Sequence, residues 1–166
     1  VIFHVLYKDK NNPLQYVKQD RLAKILDTVN KLYKDKTKSV DMNLTFTLAT
    51  TDEDGKPLST PGVEYVSWEE SYPIDCDAFM NDETEKYVKY IWEPRYYINV
   101  MVYNFKDDES TGSTTLGIAH IPFSTVGSNY LEELSKTQKS YLEKQNLKFP
   151  YSVSINSLFI NDQSTS

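Results

Sequence analysis

The ten-residue run "YYINVMVYNF", residues 96–105, constrains the fold more than any other part of the chain. All of its residues except Asn99 and Asn104 are aliphatic, aromatic or methionine. A strand with one solvated face alternates apolar and polar residues, whereas a nearly continuous apolar run is typical of a strand that is covered on both faces. We therefore predict that this run is the central strand of a sheet with other elements packed on it.

A second strand and a long helix are predicted at the beginning of the chain. The run "VIFHVLYK", residues 1–8, is apolar and ends at the turn signal "DKNNP", which indicates a buried strand. From Val17 to Tyr33 apolar residues recur at spacings of three and four, as in an amphipathic helix. The predicted buried face of this helix consists of Leu22, Ile25, Leu26, Val29 and Leu32. We expect the helix to pack on the sheet, with Lys24 in solvent.

The other elements are shorter and predict a mixed fold. Alternation in "MNLTFTLAT", residues 42–50, predicts a strand, and so does "VEYVSW", residues 63–68, after the turn "DEDGKP". Asp82 and Glu85 resemble a capping box at the start of a short helix, "ETEKYVKYIW" (residues 83–92), that Pro94 ends. Another helix is predicted from about Ser128, and a last strand in "YSVSINSLFI". This order predicts the α/β (α+β) class, with a twisted mixed sheet of about five strands.

The stretch "TLGIAHIPF", residues 115–123, has the composition of an edge strand. Glycine weakens a strand interior and Pro122 cannot donate to a ladder, so a central position is disfavoured. With a period of two, one side of the strand carries the bulkier residues Leu116, Ile118 and His120, and the other carries Gly117 and Ala119. Two interpretations are open: the edge binds another chain, or it is only protected against aggregation.

Length and charge limit the classes of protein to consider. The 166 residues suffice for a single domain, which we assign to 1–166. A net charge of -6 without a Lys/Arg cluster argues against a nucleic-acid partner. No run approaches the roughly 18 apolar residues of a membrane span, so we expect no transmembrane segment in this chain. Because the sequence opens directly on a strand pattern and closes on a polar tail, we expect it to be a piece of a longer precursor.

Residues that could carry chemistry are few. The chain has two histidines, His4 and His120, and one cysteine, Cys76, and it contains no catalytic motif. A structural zinc site needs four ligands and a catalytic one three, so we predict neither a metal site nor a catalytic residue in this chain. His4 lies within an apolar strand, where a hydrogen-bonded core histidine is expected. Cys76 is either a buried thiol or half of a disulfide with a partner elsewhere.

Four segments follow one another in an order that a known family shares. A strand and a helix ending in "VNKLY" precede "FTLATTDEDG" with "PGVEYV", and then come "YYINVMVYNF" and "LGIAHIP". This succession resembles the N-terminal part of pappalysin-family zinc metallopeptidases, which are metzincin-like zincins. It is most similar to secreted or lipoprotein members from gut bacteria. The zinc helix of that family, with its H-E-x-x-H-x-x-G-x-x-H pattern, does not occur in the 166 residues.

The resemblance implies a fragment of a secreted endopeptidase. This chain would be the N-terminal subdomain of a zincin-like catalytic domain, with the long helix as its backing helix, and it would stop before the zinc helix. Zinc would be the cofactor of the complete enzyme, in which a zinc-activated water hydrolyses the peptide bond. The metal ligands would lie in a C-terminal half of the same precursor, so this chain alone would bind no metal and be inactive. The expected location is secreted, cell-surface or periplasmic in a bacterium.

The resemblance also implies a role for the edge strand. In zincins such a strand aligns the peptide or protein substrate by pairing with its backbone. The substrate-binding residues would then be Leu116, Gly117, Ile118, Ala119 and His120. A non-catalytic secreted module that binds a protein or a glycan, through this edge or a Tyr-rich surface, is the alternative function. A third interpretation is a purely structural domain of a larger surface protein, which would bind nothing through the edge strand.

Overall fold

The computed structural model of the chain describes residues 1–34, 40–106, 114–120 and 143–160. The strands are β1 (Ile2–Tyr7), β2 (Val63–Ser67), β3 (Asn99–Tyr103), β4 (Gly117–Ala119) and β5 (Val153–Asn156). The helices are α1 (Gln19–Lys34), α2 (Cys76–Met80) and α3 (Ser157–Ile160), with two 3-10 turns at Val88–Tyr90 and Lys144–Asn146. Within these described ranges, none of the helices has the length and apolar character that crossing a membrane requires.

The five strands form one mixed sheet in the order β2-β1-β3-β5-β4. The first four of these are mutually parallel, and β4 runs antiparallel to β5. The middle strand is β3, and all five of its residues are buried. The predicted central strand and the mixed α/β class with a five-stranded sheet are therefore confirmed.

One face of the sheet is covered by α1. A buried apolar cluster joins Phe3 and Val5 of β1 to Val100 and Val102 of β3 and to Leu22 of the helix. The long helix predicted from the sequence is confirmed, with Leu22 and Leu26 as its buried residues. The predicted burial of Leu32 is wrong, because this side chain is 58% exposed.

The last turn of α1 packs on residues 42–50 instead of on the sheet. The ring of Tyr33 lies 5.1 Å from that of Phe46, and the amide of Asn30 bonds both backbone groups of Phe46. Residues 42–50 form no ladder, so the strand predicted there is wrong. Their backbone groups instead make isolated hydrogen bonds, such as the one from Ala49 N–H to the carbonyl of Val1, at 2.9 Å.

The opposite face of the sheet is covered by residues 68–92. Met101 and Tyr103 pack there beneath Trp68, Phe79 and Ile91. The helix in this segment is α2, and Asp75 caps it by accepting the N–H of Ala78 at 3.0 Å.

The helix predicted from Glu83 to Trp92 is wrong, since only the turn Val88–Tyr90 forms there. Asp82 accepts the N–H of Thr84, two residues away, which makes a turn. Glu85 has a φ of +68°, which a right-handed helix does not accommodate.

The last strand is shorter than predicted. It ends at Asn156, and α3 begins at Ser157 and carries Ile160 back into the cluster beneath α1. The guanidinium of Arg21 donates to the carbonyl of Ile160 and joins α1 to the end of α3. The helix predicted from about Ser128 falls mostly on residues 121–142, which lie outside the described residues.

Candidate functional site

The sequence-predicted site lies on β4, at one edge of the sheet. The strand pairs with β5 in the register Gly117 to Ile155, Ile118 to Ser154 and Ala119 to Val153. The flanking bonds run from Asn156 N–H to the carbonyl of Leu116, at 2.9 Å, and from His120 N–H to the carbonyl of Ser152, at 3.2 Å. The predicted edge strand is thus confirmed as the last strand in the described part of the sheet.

The register determines which backbone groups of β4 point away from the sheet. In an antiparallel pair, hydrogen-bonded positions alternate with non-bonded ones. Since Leu116 and His120 bond to β5, Ile118 between them faces β5 as well. Gly117 and Ala119 therefore direct their N–H and C=O groups outward, and both residues are exposed. This edge offers two donors and two acceptors in the spacing that a strand of another chain requires.

The side chains of β4 differ in their surroundings. Ile118 packs against the buried cluster that contains Phe79 and Tyr103, whereas Leu116 is 60% exposed. A Cβ placed on Gly117 would lie only 3.0 Å from the carbonyl oxygen of Ser154. Glycine at this position therefore allows β4 to approach β5 closely. The packing of the two strands is thus sufficient to explain why residue 117 is glycine.

His120 is held by backbone groups on both sides of its ring. Its Nδ1 atom accepts the N–H of Ser152 at 3.3 Å, and its Nε2 atom lies 3.1 Å from the carbonyl oxygen of Met80. The ring also packs on Phe149 and Tyr151, with centroids 4.7 and 5.7 Å away. Burial lowers the pKa of the imidazole. His120 thus joins β4 to the end of α2 and to the beginning of β5.

A small polar network supports β5 beneath this edge. The hydroxyl of Tyr103 lies 3.1 Å from the hydroxyl of Ser154, which contacts the sulfur of Met80 at 3.0 Å. Burial raises the pKa of Tyr103, so its phenol remains protonated and able to donate. Sequence reasoning missed α2 and with it this support, although an Asp before "CDAFM" is a recognisable N-cap.

His4 lies on a different part of the sheet and has its own partners. It is fully buried, with Nδ1 at 2.7 Å from Glu64 and Nε2 at 2.9 Å from Asn99. The expectation of a hydrogen-bonded core histidine is confirmed. Three strand spacings, about 14 Å, separate β1 from β4, which places His4 and His120 too far apart to share an ion.

The described residues offer no site that fits a metal ion. In the ranges that the structure describes, no three His, Cys, Asp or Glu side chains come together. Cys76 is a buried free thiol, and burial raises its pKa, which disfavours the thiolate that binds zinc. The acidic turn at 51–55 satisfies its own backbone, since the carboxylate of Asp52 accepts the N–H groups of Asp54 and Lys56 at 3.0 and 2.8 Å.

An apolar groove lies between α1 and β5, on the face of the sheet that carries α1. It has a volume of about 200 Å³ and an entirely apolar lining. Helix α1 contributes Ile25, Leu26 and Val29, and the sheet contributes Val100, Val153 and Ile155, with Ile98, Phe46, Val1 and Phe3 completing the walls. Val153 and Ile155 are the register partners of Ala119 and Gly117, so these small residues of β4 lie on the same face of the sheet as the groove.

Comparison with known proteins finds similarity in structure alone. No protein-family model matches the sequence, and no curated protein matches it. The chain is similar to mature mirolysin of Tannerella forsythia in complex with a cleaved peptide, with 21% identity and a TM-score of 0.59. That match covers 95% of this chain and 51% of mirolysin.

Two further structures agree with this match. Mirolysin in complex with compound 9 has 20% identity and a TM-score of 0.59, covering 95% of this chain and 51% of that one. A Tannerella forsythia promirolysin mutant has 21% identity and a TM-score of 0.57, covering 95% of this chain and 45% of that one. The chain thus spans about half the length of these structures. At this identity the likeness shows the fold, which is that of a portion of mirolysin, a metallopeptidase.

Proposed function

We propose that this chain is the N-terminal portion of a secreted, zinc-dependent endopeptidase similar to the pappalysins, and that β4 aligns its peptide substrate. The observation that carries the proposal is the outward direction of the backbone groups of Gly117 and Ala119 at the edge of a mirolysin-like fold. The structure of mirolysin with a cleaved peptide makes a peptide the substrate class to test first.

An extended peptide laid antiparallel to β4 would continue the sheet by one strand. Gly117 and Ala119 would each donate one N–H and accept one N–H, which gives up to four backbone bonds. Each such bond contributes about 0.5–1.5 kcal/mol net. Backbone pairing fixes the direction and register of the peptide but tolerates most side chains, so selectivity would come from side chains beside the strand, such as the exposed Leu116.

The bond-breaking step belongs to residues outside this chain. We propose that the zinc ligands and the catalytic residues lie in a C-terminal half of the same precursor. The chain alone would then bind no zinc and be inactive. The apolar groove between α1 and β5 is the surface on which that half would pack, since solvent contact of an entirely apolar lining is unfavourable. We also propose export of the precursor to the periplasm, the cell surface or the medium of a bacterium.

The test compares proline variants of the full-length protein in a peptide-cleavage assay. Ala119→Pro deletes an outward N–H, while Ile118→Pro deletes an N–H that faces β5 and serves as the matched control. Ala119→Pro should remain folded and lose about tenfold or more in kcat/KM, as expected for a lost backbone bond plus the bulk of the ring. Ile118→Pro should lower the melting temperature, and Val102→Pro in the central strand should prevent folding.

Two results would contradict the proposal. The first is a folded Ala119→Pro variant that cleaves peptides at the parental rate, which would leave β4 only a protected edge. The second is a full-length protein that binds peptides at this edge but does not cleave them, which would favour the non-catalytic binding module.

A further inference from the structure

One ring nitrogen of His120 accepts a hydrogen bond, and the other donates one. The N–H of Ser152 points at Nδ1, so Nδ1 must accept and carries no proton. The Nε2 atom faces the carbonyl oxygen of Met80, so Nε2 must donate and carries the proton. Only the neutral imidazole with its hydrogen on Nε2 satisfies both partners.

A second proton on this ring would break one of the two bonds. The imidazolium has an N–H at Nδ1, which would face the N–H of Ser152 and repel it. The carbonyl of Met80 accepts from either form of the ring. Protonation therefore breaks the hydrogen bond from Ser152 that joins the ring to β5, and it keeps the hydrogen bond to Met80 that joins the ring to α2.

His120 makes two of the hydrogen bonds that hold β4 on β5. The strand is only three residues long, and the downstream bond to β5 that the described residues make comes from the backbone of His120 itself. The side chain and the backbone of His120 both bond Ser152, so one residue fixes that end of the strand. Its loosening would move the outward N–H of Ala119, the residue just before it.

We propose that His120 is a positioning residue that holds the downstream end of β4 in register, and that protonation of its ring releases this end and weakens peptide alignment in mildly acidic solution. The inference rests on the proposed function, because it assumes that β4 aligns the peptide. It assigns His120 a role in holding the strand and no contact with the substrate.

The direction of the pH dependence follows from burial. Burial lowers the pKa of His120 below its ordinary value of 6.5, so the folded chain takes up this proton at a lower pH than the unfolded chain. The stabilisation by the neutral ring is complete above about pH 6.5 and is lost as the pH falls from there through the lowered pKa.

The described residues around the ring include few other titratable groups. Among the described residues, those packed on it are Met80 of α2 and Phe149, Tyr151 and Ser152 before β5. Of these only the phenol of Tyr151 titrates, and no charged side chain of the described residues acts on the pKa of the ring.

The first test uses the complete chain without any peptide. Nitrogen NMR of the His120 ring should show the proton on Nε2 at pH 7. The hydrogen-exchange protection of the Ile118 and His120 amides should fall by about tenfold or more between pH 7 and pH 5, while that of Val102 in β3 stays constant. In His120→Asn, whose side-chain oxygen can still accept the N–H of Ser152, the protection of Ile118 should not change with pH. A ring protonated on Nδ1 at pH 7, or equal protection of β4 at both values, would overturn the assignment.

The second test uses cleavage by the full-length protein. The ratio of the parental kcat/KM to that of His120→Asn should fall between pH 7 and pH 5, because only the parent loses its anchor. A ratio that does not change with pH would overturn the link between the ring and peptide alignment. The exchange measurements involve no substrate, so they stand even if Ala119→Pro shows that β4 does not align peptides.

Discussion

Asn99 at the beginning of β3 receives a 2.9 Å hydrogen bond from Nε2 of His4 in β1, and both side chains are buried. The amide of Asn99 also accepts the N–H of Trp92 at 2.7 Å and donates to the carbonyl of Trp92 at 2.9 Å. These two bonds fix the orientation of the amide, so Nε2 of His4 must be the donor. One side chain thus joins β1 to the segment that covers it.

Asn99→Ala should lower the free energy of unfolding by at least about 3 kcal/mol, because three buried polar groups of His4 and Trp92 would each lose a partner. Urea denaturation measures this loss. Asn104→Ala is the matched control, since the side-chain oxygen of Asn104 is buried and has no hydrogen-bond partner among the described residues. This control should cost less, and an equal cost for the two variants would mean that the bonds of Asn99 do not stabilise the fold.

Leu26→Ala should cost roughly 2–5 kcal/mol, the usual range for a truncated core leucine. Leu26 is 7% exposed on the face of α1 that meets the sheet. Lys24→Ala and Leu32→Ala should cost little, because both side chains are exposed. Denaturant melts of the three variants test the face assignment. A Leu32→Ala variant as unstable as Leu26→Ala would contradict it.

The elements that sequence reasoning found are those with long or continuous patterns. The apolar run of β3 and the helical spacing in α1 each extend over ten or more residues of the sequence, so one or two residues that break the pattern do not change the predicted element. Gly117 and Pro122 were sufficient to predict an edge. The directions of the individual N–H groups in β4 depend on the register with β5, which no local pattern contains.

The elements that were missed or wrong depend on partners far away in the chain. Apolar and polar residues alternate in residues 42–50. This pattern suits a strand paired in a sheet and equally an extended segment whose backbone bonds the side chain of Asn30. Helix α2 has five residues, too few to show a helical period. The partners of His4 are 60 and 95 residues away, so the burial of the ring could be predicted but not what it bonds.

The apolar groove gives the last prediction, which concerns the C-terminal half that we propose to pack on it. Ile98 lies in the groove wall and is 47% exposed, whereas Leu32 is 58% exposed and does not line the groove. In this chain alone, Ile98→Gln and Leu32→Gln should both change stability only slightly, because water already reaches both side chains.

In the full-length protein the two variants should differ. Ile98→Gln would place an amide in an apolar interface and should lower the free energy of unfolding by about 1–3 kcal/mol, the usual cost of burying a polar group without a partner. Leu32→Gln should remain close to the parent, since it lies outside that interface. Denaturant melts of both variants, in the chain and in the full-length protein, separate an effect on the fold from an effect on packing between the halves. Equal stability of the two full-length variants would mean that the C-terminal half packs elsewhere.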